Sequence, residues 1–278
     1  MIERLLTIDR RVIFLFVFIG VTIPLLSEFR LPVRPTEHVT AIYDKIELLA
    51  QQKDAVVLLS FSYGASTEPE MQPMAMALLR HLFSRNVKVV AISLFPEAPG
   101  LAQQALETTA EEFDKKYGDD YAFMPYKPGT YSVIINMGQK FLDAFPKDNW
   151  GTQTNEIPLT SNITNLTDFD FVLDLAAGDS IEFWWLPFGQ EKYNLDFAAG
   201  CTAVMAPDLY PFLQSGQMVG LIGGLVGAAE YEILINHPAG ASAGMSAQSV
   251  THVIIIIFIL LGNAVYLTTR YKERNSRK

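Results

Sequence analysis

The chain has 278 residues, half of them hydrophobic, and a formal net charge of −9. Three of its 21 basic residues precede Val12 and five follow Thr269, leaving 13 Lys and Arg against 27 Asp and Glu in the stretch between. So acidic a middle offers no basic stripe for phosphates and argues against nucleic acid as a partner, while a single cysteine, Cys201, excludes an intrachain disulfide and a cysteine-based zinc site.

The first element is Val12–Leu26, "VIFLFVFIGVTIPLL", which follows Arg10 and Arg11 and fits a signal peptide, a signal anchor or a short transmembrane helix. No small-x-small cleavage site follows it. Leu5 and Leu6 extend it inwards and Arg10 and Arg11 can snorkel, so residues 1–27 are expected to remain as a membrane-spanning anchor. Residues 28–54, with Arg30 and Arg34, form a connecting segment.

An α/β domain is expected over residues 55–235. "AVVLLSF" (Ala55–Phe61) has the continuous apolar character of a strand covered on both faces. A helix follows, with Thr67 and Glu70 at capping-box spacing and Met71, Met74, Leu78 and Leu82 at helical intervals. "VKVVAISLF" (Val87–Phe95) and Gly100–Gly118 repeat strand and helix, and the βαβα alternation predicts a parallel sheet. Tyr121–Tyr126, Phe169–Leu175 and Cys201–Ala206 are the third, fourth and fifth strands, with a helix over Val133–Phe145. The fold class is therefore α/β: an open, mostly parallel sheet of about five strands, Rossmann-like or flavodoxin-like, flanked by N- and C-terminal transmembrane helices. Phe145–Asp168 has no apolar period and is expected to be a surface excursion; its sequons at Asn162 and Asn165 are taken as chance occurrences. "FWWLPF" (Phe183–Phe188) is an aromatic cluster that suits either a core or an interface through Trp184 and Trp185.

"GLIGGLVGAAEYE" (Gly220–Glu232) lacks the spacing of a dinucleotide fingerprint and the Lys-Ser/Thr of a phosphate loop. The expectation is a helix on which Gly216, Gly220, Gly224 and Gly223, Gly227 make rows that admit another backbone, either inside the domain or at an interface. Asn236–Gln248 is small-residue rich, giving a flexible tether over 236–249. Val250–Thr268 then runs nineteen residues without a formal charge, about 28 Å as helix, and residues 250–269 are expected to cross the membrane. His252 and Asn263 lie inside this span. Arg270, Lys272, Arg274, Arg277 and Lys278 in the tail 270–278 place both termini in the cytoplasm and the domain outside it, at the cell (inner) membrane.

Loops that leave strand C-termini carry the candidate chemistry: Ser62, Tyr63, Ser66, Glu68 and Glu70, then Glu97, Lys127, Asp179 and Asp208. Such an acidic rim could take a divalent cation or a cationic ligand, or it could be a set of helix N-caps. The histidines, His38, His81, His237 and His252, are scattered and no Gly-x-Ser-x-Gly elbow exists, so a hydrolase triad is not expected. Cys201 is expected to be a buried, inert thiol, and no cofactor pattern stands out.

"LLSFSYGASTEPEMQPMAMALLRHL", "LTDFDFVLDLAAGD" and "SGQMVGLIGGLVGAAEYE" together resemble a bacterial family of membrane-anchored extracytoplasmic α/β proteins to which no activity is attached. A Tyr-x-Pro/Ala-Ser/Thr loop with a Glu-x-x-Pro helix start, an aspartate-ended strand and a glycine-rich Ala-x-Tyr-Glu helix carry the likeness over Ala55–Ile235. The resemblance implies the fold and the anchored topology. The residues alone favour a non-enzymatic subunit that docks on other membrane protein subunits or on copies of itself, set in a lipid bilayer. The alternative is a ligand- or cation-sensing domain at the strand ends, or an enzyme there.

Overall fold

The computed structural model describes residues 9–27 and 31–276. Leu5, Leu6, Arg30, Arg277 and Lys278 lie outside the described residues. The chain divides into two compact units, Val33–Ala241 and the pair Met1–Pro32 with Ser242–Lys278.

The larger unit begins with α2 (Glu37–Leu49), which follows α1 (Arg10–Leu26) of the smaller unit. Its sheet has six parallel strands: β1 (Val56–Ser62), β2 (Lys88–Ser93), β3 (Tyr121–Phe123), β4 (Phe171–Ala176), β5 (Phe197–Cys201) and β6 (Leu221–Gly223). Their order is β3-β2-β1-β4-β5-β6, so the chain winds outward to one edge, returns to the middle and winds to the other. That is the dinucleotide-fold order, with its switch point between β1 and β4. β1 is apolar except for Ser60 and Ser62 because helices cover both faces and leave no strand face to water.

One layer holds α2, α3 (Glu68–Ser84), α4 (Ala98–Glu112) and α9 (Gly224–Leu234), with α3 packed between α4 and α9. The other holds α5 (Tyr131–Gln139), α6 (Phe141–Ala144), a π-helix over Ser180–Gln190 leading into α7 (Glu191–Tyr193), and α8 (Ala206–Gln214).

Four expectations shift. The sheet gains β6, which lies within the glycine-rich stretch. The fifth strand sits earlier, at Phe197–Cys201, where small residues pair with β4, and the apolar run after Cys201 is the turn into α8. The helix over Val133–Phe145 breaks at Lys140, whose backbone is extended (φ −157°, ψ 114°). Phe145–Asp168 is no bare excursion: Phe145, Ile157, Leu159 and Leu166 enter the core, and buried Asp148 accepts from the Trp150 and Thr152 amides at 2.9 and 2.8 Å. Asn165 of the second sequon caps the short helix Leu166–Asp168.

The smaller unit pairs α1 with α10 (Gly240–Ser276), whose first two residues belong to the larger unit. Segment Gly240–Arg270 is long and apolar enough to cross a membrane, with a mean hydropathy of 2.3 and 6% of its apolar window buried. Phe16 and Phe258 meet edge to face at 5.8 Å, and Gly20 admits the Ile254 side chain. The expected slack tether is helical from Gly240 onward, where its alanines favour helix and no proline follows Pro238, although Gly244 lies within it.

Candidate functional site

The strand C-terminal loops meet at one edge, but they do not assemble the sequence candidates into one site. Tyr63 is fully buried and its hydroxyl donates to Gln72 Oε1 at 2.6 Å; burial pushes the phenol far above its ordinary range. Glu97 accepts from the Ala65 amide at 3.1 Å and so pins the β1 loop. Glu70 accepts from the Ala203 amide at 2.7 Å, 133 residues away, and not from its own helix end. The Thr67 hydroxyl donates to the Gly64 carbonyl, so the expected capping box is absent. Ser66, Asp179 and Asp208 are exposed and Glu68 and Lys127 half-buried. Asp179 precedes the π-helix without a side-chain cap bond, and Asp208 lies in the first turn of α8. Among the described residues, no three His, Cys, Asp or Glu side chains are grouped to hold a metal. Cys201 is buried, and burial pushes its thiol up to about 12.

Beneath this edge, at the switch point, lies a carboxyl that is on a strand and not on a loop. Asp174 on β4 pairs in register with Ser60 on β1 and is fully buried. Its Oδ1 accepts from Ser62 at 2.7 Å and its Oδ2 from Ser180 at 2.5 Å, and Ser60 lies 3.3 Å from Ser62. Burial raises its pKa to about 6, against the pull of the three serines and of Trp185. The indole N–H of Trp185 acts on the carboxyl from outside strict hydrogen-bond geometry, since Nε1 has no partner that meets it. The visible signal was an aspartate in the otherwise apolar strand "FVLDLA". Trp185, read from the sequence as either core or interface, takes the core place: it is fully buried and stacks on Phe197 at 6.1 Å, because the π-helix turns it inward. Trp184 is partly buried against the same core.

The glycine-rich stretch is corrected as well, because its glycines do not lie in rows on one helix. Gly216 (φ +79°) ends the turn after α8, Gly220 precedes β6, Gly223 ends β6, and Gly224 (φ +61°) starts α9 in a conformation that disfavours side chains. The close backbone approaches are nonetheless present and internal. A Cβ on Gly220 would lie 2.5 Å from the His38 carbonyl oxygen of α2, and one on Gly224 3.0 Å from Ala203 Cα. Gly223 and Gly227 line a shallow cleft of about 280 Å³ with His38, Tyr210 and Val226.

The Glu-Tyr-Glu that ends this stretch fastens three elements. Glu230 accepts from the Thr36 amide and hydroxyl at 2.9 and 2.8 Å, at the start of α2. Glu232, 1% exposed, accepts from the Ala239 and Ala241 amides at 2.8 and 2.9 Å, at the start of α10. The Tyr231 hydroxyl lies 2.7 Å from His81 Nδ1, and His81 Nε2 lies 2.8 Å from Glu47 Oε1. Burial lowers the His81 pKa although Glu47 opposes the shift. Burial disfavours the Glu47 carboxylate, but bonds from His81 and Arg85 outweigh it and hold its pKa down. An ionised Glu47 only accepts, so Nε2 donates to it and a neutral Nδ1 accepts from Tyr231. Tyr43 stacks on the imidazole at 4.6 Å. His81 is only 1% exposed and Tyr231 fully buried, while the Glu47 side chain is about a third exposed, so the imidazole joins α2, α3 and α9 from inside the layer.

Compared with known protein families, curated proteins and solved structures, the chain matches none.

Proposed function

We propose that the protein is a membrane-anchored, non-enzymatic subunit of a membrane protein assembly, docking through its α/β domain and its membrane helices. The observation that carries this reading is the use made of the strongest polar groups. Glu230 and Glu232 bind the two chain segments by which the domain joins its apolar helices, and Tyr231, between them in sequence, bonds the buried His81 of α3. A domain fastened at both connections suits a part that holds a position in a complex.

The same proposal takes α1 as a second span. Its 17 residues make about 26 Å of helix, near the thickness of a hydrocarbon core. The basic residues after Thr269 favour a cytoplasmic C-terminus and an extracytoplasmic domain, as in the family that the sequence resembles. The test is the mass of the native complex extracted from its host membrane in mild detergent. A defined set of co-purifying membrane proteins, or a closed homo-oligomer, is expected; a lone monomer overturns the proposal.

One observation favours a second reading, ligand sensing at the strand ends. A π-helix leaves β4 directly above the buried Asp174, and π-helical turns concentrate at functional sites. A thermal shift with cations or small metabolites supports it, since ligands of the native state raise apparent stability. Unchanged melting across such a screen removes it.

A further inference from the structure

We propose that the edge of the sheet formed by the strand C-termini docks a protein partner whose surface is both basic and apolar. This inference rests on the assembly-subunit reading and adds to it the surface used and the chemistry of the partner.

Four large apolar side chains stand exposed on four consecutive connections: Phe95 after β2, Tyr131 after β3, Phe183 after β4 and Val204 after β5. Val204 is 84% exposed and Phe183 57%. In a parallel sheet every strand C-terminus lies at the same end, so the topology gathers these side chains on one edge. They are not leftovers of a weak core, because the residues around them are spent inward: Trp185, two residues after Phe183, is fully buried, as is Cys201, three before Val204. Exposed apolar groups collected on one edge and rimmed by polar ones mark an interaction surface.

Charge selects what covers it. Asp179, Glu182 and Asp208 flank Phe183 and Val204 on the connections after β4 and β5, Glu68 lies on the connection after β1, and among the described residues none of the four sits in an ion pair. Lys127 is the one basic residue in the loops that directly follow β1 to β5. An edge of this sign repels anionic headgroups and attracts a basic protein surface, whose charges fix the register while the apolar residues bury area.

The experiment places a photo-crosslinking amino acid, p-benzoylphenylalanine, at Phe183 or Val204 of the full-length protein in its host membrane. Leu48 serves as the control site: it is 58% exposed and lies in the last turn of α2, on the approach to the N-terminal end of β1. Crosslinks from 183 and 204 to one protein, mapped to a peptide of that protein rich in Lys or Arg and apolar residues, are expected. Their yield should fall at least about tenfold in the double variant Asp179→Lys/Asp208→Lys, less in Asp179→Asn/Asp208→Asn, and with added salt. An unchanged melting temperature shows that the charge variants fold. Crosslinks to lipid alone, to another copy of this chain, or to a partner indifferent to charge reversal overturn the inference. If the complex survives while only position 48 crosslinks, the subunit reading stands and this surface is wrong. If neither complex nor crosslink forms, both fail.

Discussion

The two faces of the sheet bury polar groups in opposite ways. In the layer of α2, α3 and α9, the His81 imidazole has a partner at each nitrogen, and Glu47 gains Arg85 at 2.7 Å as well. In the other layer, the fully buried Asp174 accepts from the hydroxyls of Ser62 and Ser180, and among the described residues it sits in no ion pair. Complete pairing of a neutral ring turns burial into a fastening, whereas neutral donors around a carboxylate leave much of its desolvation unmet. Depth of burial alone does not separate the two; the partners do.

Removing His81 should break the comparison most sharply. His81→Ala leaves Tyr231 and Glu47 facing a cavity without their shared partner, a loss of about 4 kcal/mol from the cavity and the orphaned groups together. Urea unfolding of the full chain in mild detergent measures it. A loss below about 1 kcal/mol would show that the joint contributes little.

Asp174→Asn should move stability the other way. At neutral pH the buried carboxylate, raised from 3.8 to about 6, costs about 3 kcal/mol, which a neutral amide with the same serine partners avoids. The pH dependence identifies the cause. Between pH 4 and 6 the native state keeps a proton on Asp174 that the unfolded chain has released, so this residue's contribution to stability is lost as pH rises through about 6. His81 runs in the opposite direction: its native pKa is below 6.5, so the unfolded chain takes up a proton first and stability is lost as pH falls below that value. The two slopes oppose each other in the native sequence. Asp174→Asn should uncover the His81 slope, with the midpoint rising from pH 5 to 7; a variant that keeps the parent profile refutes the assignment.

The difference between the layers also marks what the sequence could convey. Alternating apolar segments made the parallel α/β core legible, and a charge-free nineteen-residue run made the last helix legible, because both are local patterns of residue type. The partners of Glu70, His81 and Asp174 were not, since each lies on another element: Ala203 for Glu70, Tyr231 and Glu47 for His81, Ser62 and Ser180 for Asp174. The glycines from Gly220 to Gly227 correctly signalled close backbone approach, yet periodicity could not reveal that a three-residue strand divides them. Gly220→Ala tests that signal. Its new methyl would press on the His38 carbonyl and on Ile42, and backbone cannot yield as a side-chain tip can, so a loss of about 2 kcal/mol is expected. A neutral result in thermal unfolding would mean that α2 is free to shift away from β6.

The smallest effect separates a local from a long-range role for one carboxylate. Were Thr67 and Glu70 a capping box, Thr67→Ala and Glu70→Ala would each cost about 1 kcal/mol, as paired halves of one motif. With Glu70 bonded to the Ala203 amide instead, Glu70→Ala should cost about 1 kcal/mol and Thr67→Ala markedly less, since the Thr67 hydroxyl reaches only a loop carbonyl at 3.2 Å. Amide hydrogen exchange gives the clearer readout: Glu70→Ala should speed exchange at Ala203, 133 residues away, while leaving the first turn of α3 unchanged. Faster exchange at that first turn, with Ala203 unaffected, would restore the capping role. It would also leave the β5 loop, and the exposed Val204 beside it, without the strut that holds them to α3.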